Sequence, residues 1–385
     1  MRKQMKIIIL GGDGFCGWPT ALKLCANGHE VKIIDNLSRR RIDKELGSNS
    51  LTDIAPISQR IETARELLGD ISFANIDIAT DPKALKDLLI NFKPDTVVHF
   101  AEQRAAPYSM IGEKERNYTV DNNIIGTHNL CSSIVEVDRK IHLVHLGTMG
   151  VYGYSKAFGA IPEGYLDVNI TQTKKDVEIL YPANPGSVYH MSKCLDQLIF
   201  QFYNKNWGLK ITDLHQGIVW GVQTNETKSH KDLSNRFDYD GIYGTVLNRF
   251  ISQAAAKKNL TVYGTGGQSR AFINISDTAN CIKIAIENDD FSSERVRIFN
   301  QVAEVKSVKQ LAEMVAGQYG VSIDFVANPR KELAENELEV SNQGLKSLGF
   351  EPIFLNKGLV DDILYLANDL TQNFDARNVL TSPIW

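Results

Sequence analysis

The chain has 385 residues, 43% hydrophobic and 23% charged, the composition of a globular protein that builds its core without disulfide or metal staples. Its 42 Lys plus Arg against 46 Asp plus Glu leave a formal charge of -4, which excludes a sequence-wide basic field for a nucleic-acid backbone. No run of about 18 apolar residues occurs, and the opening runs into a glycine turn without a signal-peptide pattern. A soluble, cytoplasmic protein is expected, and the lack of a transit-peptide pattern favours a prokaryotic cytoplasm over a plastid precursor. The five cysteines, Cys16, Cys25, Cys131, Cys194 and Cys281, are odd in number and form no Cys-x-x-Cys pair. That suits a reducing compartment, and no metal site is expected.

Lys6 to Leu10 is a short apolar run rich in β-branched residues, closed by Gly11-Gly12-Asp13-Gly14. Trp18 to Cys25 then has a helical pattern and Glu30 to Ile34 reads as a strand, so the chain opens as a βαβ unit. Asp81-Pro82 starts a helix reaching Phe92, Thr96 to Phe100 is a buried strand, Asn122 to Val137 a helix, and Ile141 to Leu146 another strand. This alternation predicts an α/β fold with a Rossmann-like, doubly wound parallel sheet. Residues 147–186 carry six glycines and are expected to be mostly loop past a strand's C-terminal end, where function collects. Val188 to Trp207 reads as a helix and Ile211 to Leu214 as a strand. Val222 to Tyr243 is polar and charged, which suggests a lid or a partner-binding insertion. Helices near Tyr243 to Lys257, Thr278 to Asn288, Val308 to Tyr319 and Gly358 to Leu370 follow. The expected division is a dinucleotide-binding domain over 1–216, with a returning segment near 271–301, and a smaller C-terminal substrate-binding lobe from 217–270 and 302–385.

Gly11-x-x-Gly14-x-x-Gly17 lies between a strand and a helix. Glycine there permits a tight turn, close backbone approach to a pyrophosphate and close helix packing, and the helix N-terminus stabilises the anion. Asp13, Phe15 and Cys16 share this turn and join the candidate cofactor contacts. Asp35 ends the second strand 18 residues after Gly17, placed to bind ribose hydroxyls, with Asn36 beside it. The acid favours NAD over NADP, because it would repel a 2′-phosphate. Arg39, Arg40 and Arg41 are read either as ligand contacts or as a solvated basic loop.

Tyr189-x-x-x-Lys193 places a phenol and an ammonium on one helix face, with Thr148 upstream, and a nearby cation makes the phenol a usable base. Tyr152 and Lys156 share the spacing, so spacing alone does not choose between the pairs. Context favours Tyr189, which opens an uninterrupted helix, over Tyr152 in a glycine-bounded loop.

The order Gly11-x-x-Gly14-x-x-Gly17, Asp35, Asp77-Ile78, Thr148 and Tyr189-x-x-x-Lys193 resembles the extended short-chain dehydrogenase/reductases that act on nucleotide sugars. Within them, GGDGFCGW at 11–18, HFAEQRAAPYSM at 99–110, LGTMGVYG at 146–153, YHMSK at 189–193 and NRFDYDGIYGTVLNRF at 235–250 are similar to the UDP-sulfoquinovose synthase family. The likeness runs from about Lys6 to Leu370. It implies tightly held NAD and conversion of UDP-glucose and sulfite to a sugar nucleotide with a sulfonate on C6. Tyr189 would take the C4 hydroxyl proton as hydride leaves, and the resulting ketone would acidify the C5 hydrogen. Water would leave across C5 and C6, sulfite would add at C6, and the hydride would return. Lys193 would bind the nicotinamide ribose and Thr148 the C4 oxygen. Sugar-nucleotide 4,6-dehydratases follow the threonine with Asp-Glu; here Met149 and Gly150 stand instead, and are expected to leave room near C6 for the nucleophile. His190, with an ordinary pKa near neutrality, is the candidate for the proton work.

The same resemblance implies that Arg104 contacts cofactor or substrate, that Asp77 and Ile78 meet adenine, and that Asn122 supports the cofactor site. Gln216 and Thr245 would face the sugar. Arg249, Arg270 and Arg330 would supply donors to the UDP diphosphate, with Gln268 beside Arg270. A homodimer through the helices at Asn122 to Val137 and Val188 to Trp207 is also implied. Sulfite could arrive free or from a sulfur-donor protein docking at 222–243. The alternatives are a UDP-glucose 4-epimerase or a non-catalytic NAD-binding scaffold, since fold alone does not set function.

Overall fold

The computed structural model describes residues 4–153, 159–288, 290–291, 294–328, 334–369, 374–375 and 377–378. Ile7, Ile8, Ile9 and Leu10 are fully buried on both faces, as a central strand of a parallel sheet requires. Lys6–Leu10 lies inside a seven-stranded sheet of order Arg297–Gln301, Ile211–Gln216, His142–Thr148, Thr96–His99, Lys6–Leu10, Glu30–Ile34, Ile71–Ala74. Every pairing in it is parallel. The chain builds outward from Lys6–Leu10 to the Ile71 edge, then returns to its other side at Thr96. That reversal opens a crevice at the C-terminal ends of the strands, where doubly wound sheets bind ligands.

Local chemistry sets the helix ends. Asp81 accepts a hydrogen bond from the Ala84 N–H to cap Pro82–Phe92, and Lys93 ends it in the left-handed region at φ 54°. Ser187 caps Val188–Trp207 by accepting from the His190 N–H, and Gly208 at φ 67° stops it. A second core, including Trp220, Phe237, Tyr239, Phe250, Phe272 and Leu359, fills the C-terminal part of the chain. There Gly267–Asn274 pairs with Ile218–Trp220, Glu304–Ser307 and Glu335–Asn336. Among the described residues no helix is long and apolar enough to cross a membrane.

Four stretches depart from the sequence expectations. The helix expected from Asn122 begins at Glu113 and passes through a π-helical segment, Asp121–Ile125, before Gly126–Val137. The wide turn directs Asn123 inward, where it binds the Gln103 backbone and the Ser192 hydroxyl. The loop-rich stretch 147–186 also holds a hairpin that the sequence did not suggest: Tyr165–Ile170 and Lys175–Leu180 pair antiparallel, and their largely exposed residues give little hydrophobic signal. Val222 to Tyr243 is not a free polar lid, because Leu233, Phe237, Tyr239 and Tyr243 are buried. Trp18 Nε1 donates to the Leu233 carbonyl at 2.9 Å, and the Leu51 N–H donates to the Phe237 carbonyl at 2.9 Å. Helices Ser38–Leu46 and Ile57–Leu67, with the edge strand Ile71–Ala74, fill a stretch for which the sequence suggested no element.

Candidate active site

The glycine turn is sterically closed to other residues at Gly11 and Gly17. Gly11 sits at φ 77°, and a Cβ on it would lie 2.6 Å from the Phe100 carbonyl carbon; one on Gly17 would lie 2.2 Å from the Gly11 oxygen. Gly11, Asp13, Gly14, Phe15, Cys16 and Gly17 line a cavity of about 1590 Å³ at the C-terminal ends of the strands. Single-ligand pockets reach about 1,000 Å³, so this one has room for a dinucleotide and a nucleotide sugar together.

Asp35 accepts hydrogen bonds from the N–H groups of Asp13, at 2.9 Å, and Leu37, at 2.7 Å. Burial and the neighbouring Asp13 charge push its carboxyl up to about 6. Burial also opposes the Asp13 charge, but Arg40 and Arg60 hold that carboxyl below its ordinary value. Arg40 is therefore turned inward, on Asp13 and the Ala55 carbonyl, and does not line the cavity. Arg41 donates to the Asn36 carbonyl. Arg39 does line the cavity; it pairs with Asp43 and Asp238, its guanidinium 3.5 Å from the centre of the Tyr243 ring. The basic run is thus neither a solvated loop nor an open phosphate site. Asn36 donates to Asp77 at 2.7 Å, and Asp77 also accepts from the Ala79 N–H, so it is both a turn residue and, with Ile78, part of the wall.

Tyr189 and Lys193 project from the first turns of Val188–Trp207 into the cavity beside Thr148. Lys193 Nζ donates to the Leu146 carbonyl at 2.8 Å. The Thr148 hydroxyl, which accepts from the Gly150 N–H at 3.1 Å, adjoins the Tyr189 phenol and eases its ionisation. Burial raises the Tyr189 phenol, the Lys193 cation lowers it, and Glu102 raises it again. The competing Tyr152 is committed elsewhere: its buried hydroxyl donates to Asn300 Oδ1 at 3.0 Å and contacts His215 Nδ1. Burial pushes it well above the ordinary phenol range, and Lys156 lies outside the described residues.

His190 Nδ1 lies 3.1 Å from the Ser187 hydroxyl, and the ring covers Gly150. A Cβ on Gly150 would lie 2.3 Å from His190 Cδ2 and 2.4 Å from Nε2. The space expected to stay open at Met149 and Gly150 is thus taken by the imidazole, while Met149 is buried.

The remaining candidates also line the cavity. Arg104 pairs with Asp238, and Asn122 donates to the Asn123 side chain at 3.0 Å. Gln216 donates to Thr278 at 3.1 Å, and Thr245 caps Val246–Ala255. Arg249 donates to the Tyr263 hydroxyl at 3.2 Å, and Arg270 to the Ser269 carbonyl at 2.9 Å. Arg249 Nε and Gln268 Nε2 are buried donors with no acceptor among the described residues. Such a surplus of donors fits an acceptor-rich ligand. Arg330 lies outside the described residues.

Sequence reasoning missed a buried polar cluster behind Lys193. Glu102 pairs with the Lys193 ammonium and accepts from His145 Nε2 at 3.1 Å. His145 Nδ1 bonds Asp213 at 2.8 Å, Asp213 bonds His215 at 2.9 Å, and Asp196 is buried alongside. Glu102, His145 and Asp196 lie close enough together to share a cation, and the Lys193 ammonium sits among them, 3.0 Å from His145 Nε2. A polar residue just beyond an apolar strand end was the available signal for Glu102.

Residues 7–300 match the NAD dependent epimerase/dehydratase family, and the chain belongs to that family. It is 42% identical over 387 residues to the chloroplastic UDP-sulfoquinovose synthase of Spinacia oleracea, which covers 99% of this chain and 79% of that protein. It is also 42% identical over 372 residues to the UDP-sulfoquinovose synthase of Sulfolobus acidocaldarius, covering 95% of this chain and 92% of that one. The solved UDP-glucose 4-epimerase of Thermotoga maritima shares the fold, with a TM-score of 0.69 at 21% identity over 94% of this chain and 98% of its own.

Proposed function

We propose that the protein is an NAD-dependent enzyme that converts UDP-glucose and sulfite to UDP-sulfoquinovose and water. The observation that carries this reading is 42% identity, over nearly the whole chain, to two UDP-sulfoquinovose synthases. The cavity supports it. The glycine cradle, closed to a Cβ at Gly11 and Gly17, and the Asp35 carboxylate fit a dinucleotide's pyrophosphate and ribose. The NAD that these residues would hold would supply a reversible hydride acceptor for sugar C4, so the overall conversion would involve no net oxidation.

Tyr189 removes the C4 hydroxyl proton, Lys193 stabilises the phenolate and holds ribose, and Thr148 keeps the C4 oxygen in line. His190, over Gly150, exchanges the protons that move when water leaves across C5 and C6 and sulfite adds. Asp13, Phe15, Cys16, Asn36, Arg39, Asp77, Ile78 and Asn122 complete the cofactor half. Gln216, Thr245, Arg249, Gln268, Arg270 and Arg330 hold the UDP-sugar, with Arg104 between the two halves. Ile125, Met191, Leu198 and Phe202 are exposed apolar residues on the two helices expected to pair, which supports a homodimer. The enzyme works in a cytoplasm on free or protein-delivered sulfite.

The test is mass spectrometry of UDP-glucose incubated with the protein and NAD, with and without sulfite, alongside Tyr189→Phe. A sulfonated UDP-hexose formed by the native chain alone supports the reading. UDP-galactose in both conditions would replace it with an epimerase, and unchanged UDP-glucose despite NAD binding with a scaffold.

A further inference from the structure

Glu102 follows the strand Thr96–His99, and its side chain is 3% exposed beneath the helix that carries Tyr189. Ionisable groups face it from three elements. Lys193 and Asp196 come from Val188–Trp207, His145 from His142–Thr148, and His99, at 3.4 Å, from its own strand. His145 Nδ1 faces Asp213 at 2.8 Å, and its Nε2 lies between the Glu102 carboxylate at 3.1 Å and the Lys193 ammonium at 3.0 Å, so a positive charge on the ring meets both attraction and repulsion. Burial and Lys193 disfavour that charge, yet Asp213 and Glu102 outweigh them and hold the imidazole at about 9. Burial and the Glu102 charge push the Asp196 carboxyl the other way, well above its ordinary range. Glu102 is therefore the carboxylate that faces Lys193 with its charge intact.

We propose that Glu102 is a positioning residue: its carboxylate pins the Lys193 ammonium against the Leu146 carbonyl and offsets the pull of that cation on the Tyr189 phenol. This inference rests on the proposed roles of Tyr189 and Lys193. A cation close to a phenol favours phenolate, and an anion in contact with that cation cancels part of its field. The other charge acting on the phenol is Arg104, and the Thr148 hydroxyl and the His190 ring, 5.2 Å away between centroids, adjoin it. Burial and, behind it, Glu102 both favour the neutral Tyr189 phenol in the free protein, while Glu102 keeps Lys193 in place. Nothing in the local sequence pattern assigns this role, because the pair forms only when the strand end and the helix meet.

The test is an ultraviolet difference titration of tyrosinate, with the curve of the matching Tyr189→Phe protein subtracted to isolate Tyr189. Glu102→Gln keeps the shape and removes the charge; the Tyr189 midpoint is expected to fall by about one pH unit, and the acid limb of kcat/KM to fall with it. Glu102→Asp keeps the charge and shortens the side chain; the midpoint is expected to stay at its native value. The opposite pattern, with Glu102→Asp shifted and Glu102→Gln native, would assign Glu102 to packing and overturn the proposal, as would no movement in Glu102→Gln. Should Glu102→Gln fail to fold, Glu102→Asp still tests the proposal, which a shifted midpoint would overturn. The titration needs no turnover, so failure of the native chain to make product sinks the functional reading and not this one.

Discussion

Gly150→Ala isolates the contact that sets this site apart from a dehydratase with an acid pair after its threonine. The added Cβ would stand 2.3 Å from His190 Cδ2 and 2.4 Å from Nε2, so the imidazole must leave its place and its contact with the Ser187 hydroxyl. Overpacking of this kind costs about 1–3 kcal/mol. Unfolding entropy of about 2.1 cal/mol/K per residue, over 385 residues, converts that to a Tm lowered by about 1–4 °C. The fold therefore survives, and NAD binding through the glycine turn and Asp35 is expected to be unchanged by calorimetry. Formation of sulfonated product, followed by mass spectrometry at saturating substrates, is expected to fall at least about tenfold, equivalent to about 1.4 kcal/mol of barrier. A variant with native rate and the expected drop in Tm would show that His190 can leave Gly150 without consequence, and would refute its role in proton transfer.

Arg60 is fully buried against Asp13, so Arg60→Met strips one partner from a buried ion pair. It is expected to cost about 3–5 kcal/mol in denaturant unfolding; a loss below about 1 kcal/mol would mean that Arg40 alone satisfies Asp13. His145 has a pKa raised from 6.5 to about 9 by the fold, so its contribution to stability is complete below 6.5 and disappears as pH rises through about 9. Stability is expected to decline across that window by up to about 3 kcal/mol, and His145→Gln to flatten the decline; an identical slope in both proteins would remove His145 from the account. With the Asp35 carboxyl at about 6, NAD affinity is expected to weaken several-fold as pH falls through that value. Asp35→Asn should bind weakly with no such pH dependence, and a wild-type affinity independent of pH would exclude ribose recognition by Asp35.

The parts of the site that were legible in the sequence are those fixed by local spacing. Gly11, Gly14 and Gly17 belong to one turn, Asp35 ends the next strand, and Tyr189 and Lys193 share a helix face, so each group needs no distant partner to be recognised. The cluster behind Lys193 was not legible, because Glu102, His145 and Asp213 lie 43 and 68 residues apart and meet only through the pairing of parallel strands. Long-range pairing also explains the misreading of 222–243. Its charges look solvated in the sequence, yet Asp238 is buried between Arg39 and Arg104, which come from segments 199 and 134 residues away. The hairpin of Tyr165–Ile170 and Lys175–Leu180 escaped notice for the opposite reason, since residues exposed on both faces carry no hydrophobic alternation.

The most direct measurement is carbon NMR of the product made from UDP-glucose isotopically labelled at C6, with NAD and sulfite present. The expected result is a single product in which C6 bears sulfur in place of oxygen, keeps two hydrogens, and leaves the C4 configuration of glucose unchanged. A C6 that remains a hydroxymethyl group, with C4 either inverted or untouched, would contradict the assignment of this site to sulfonate transfer.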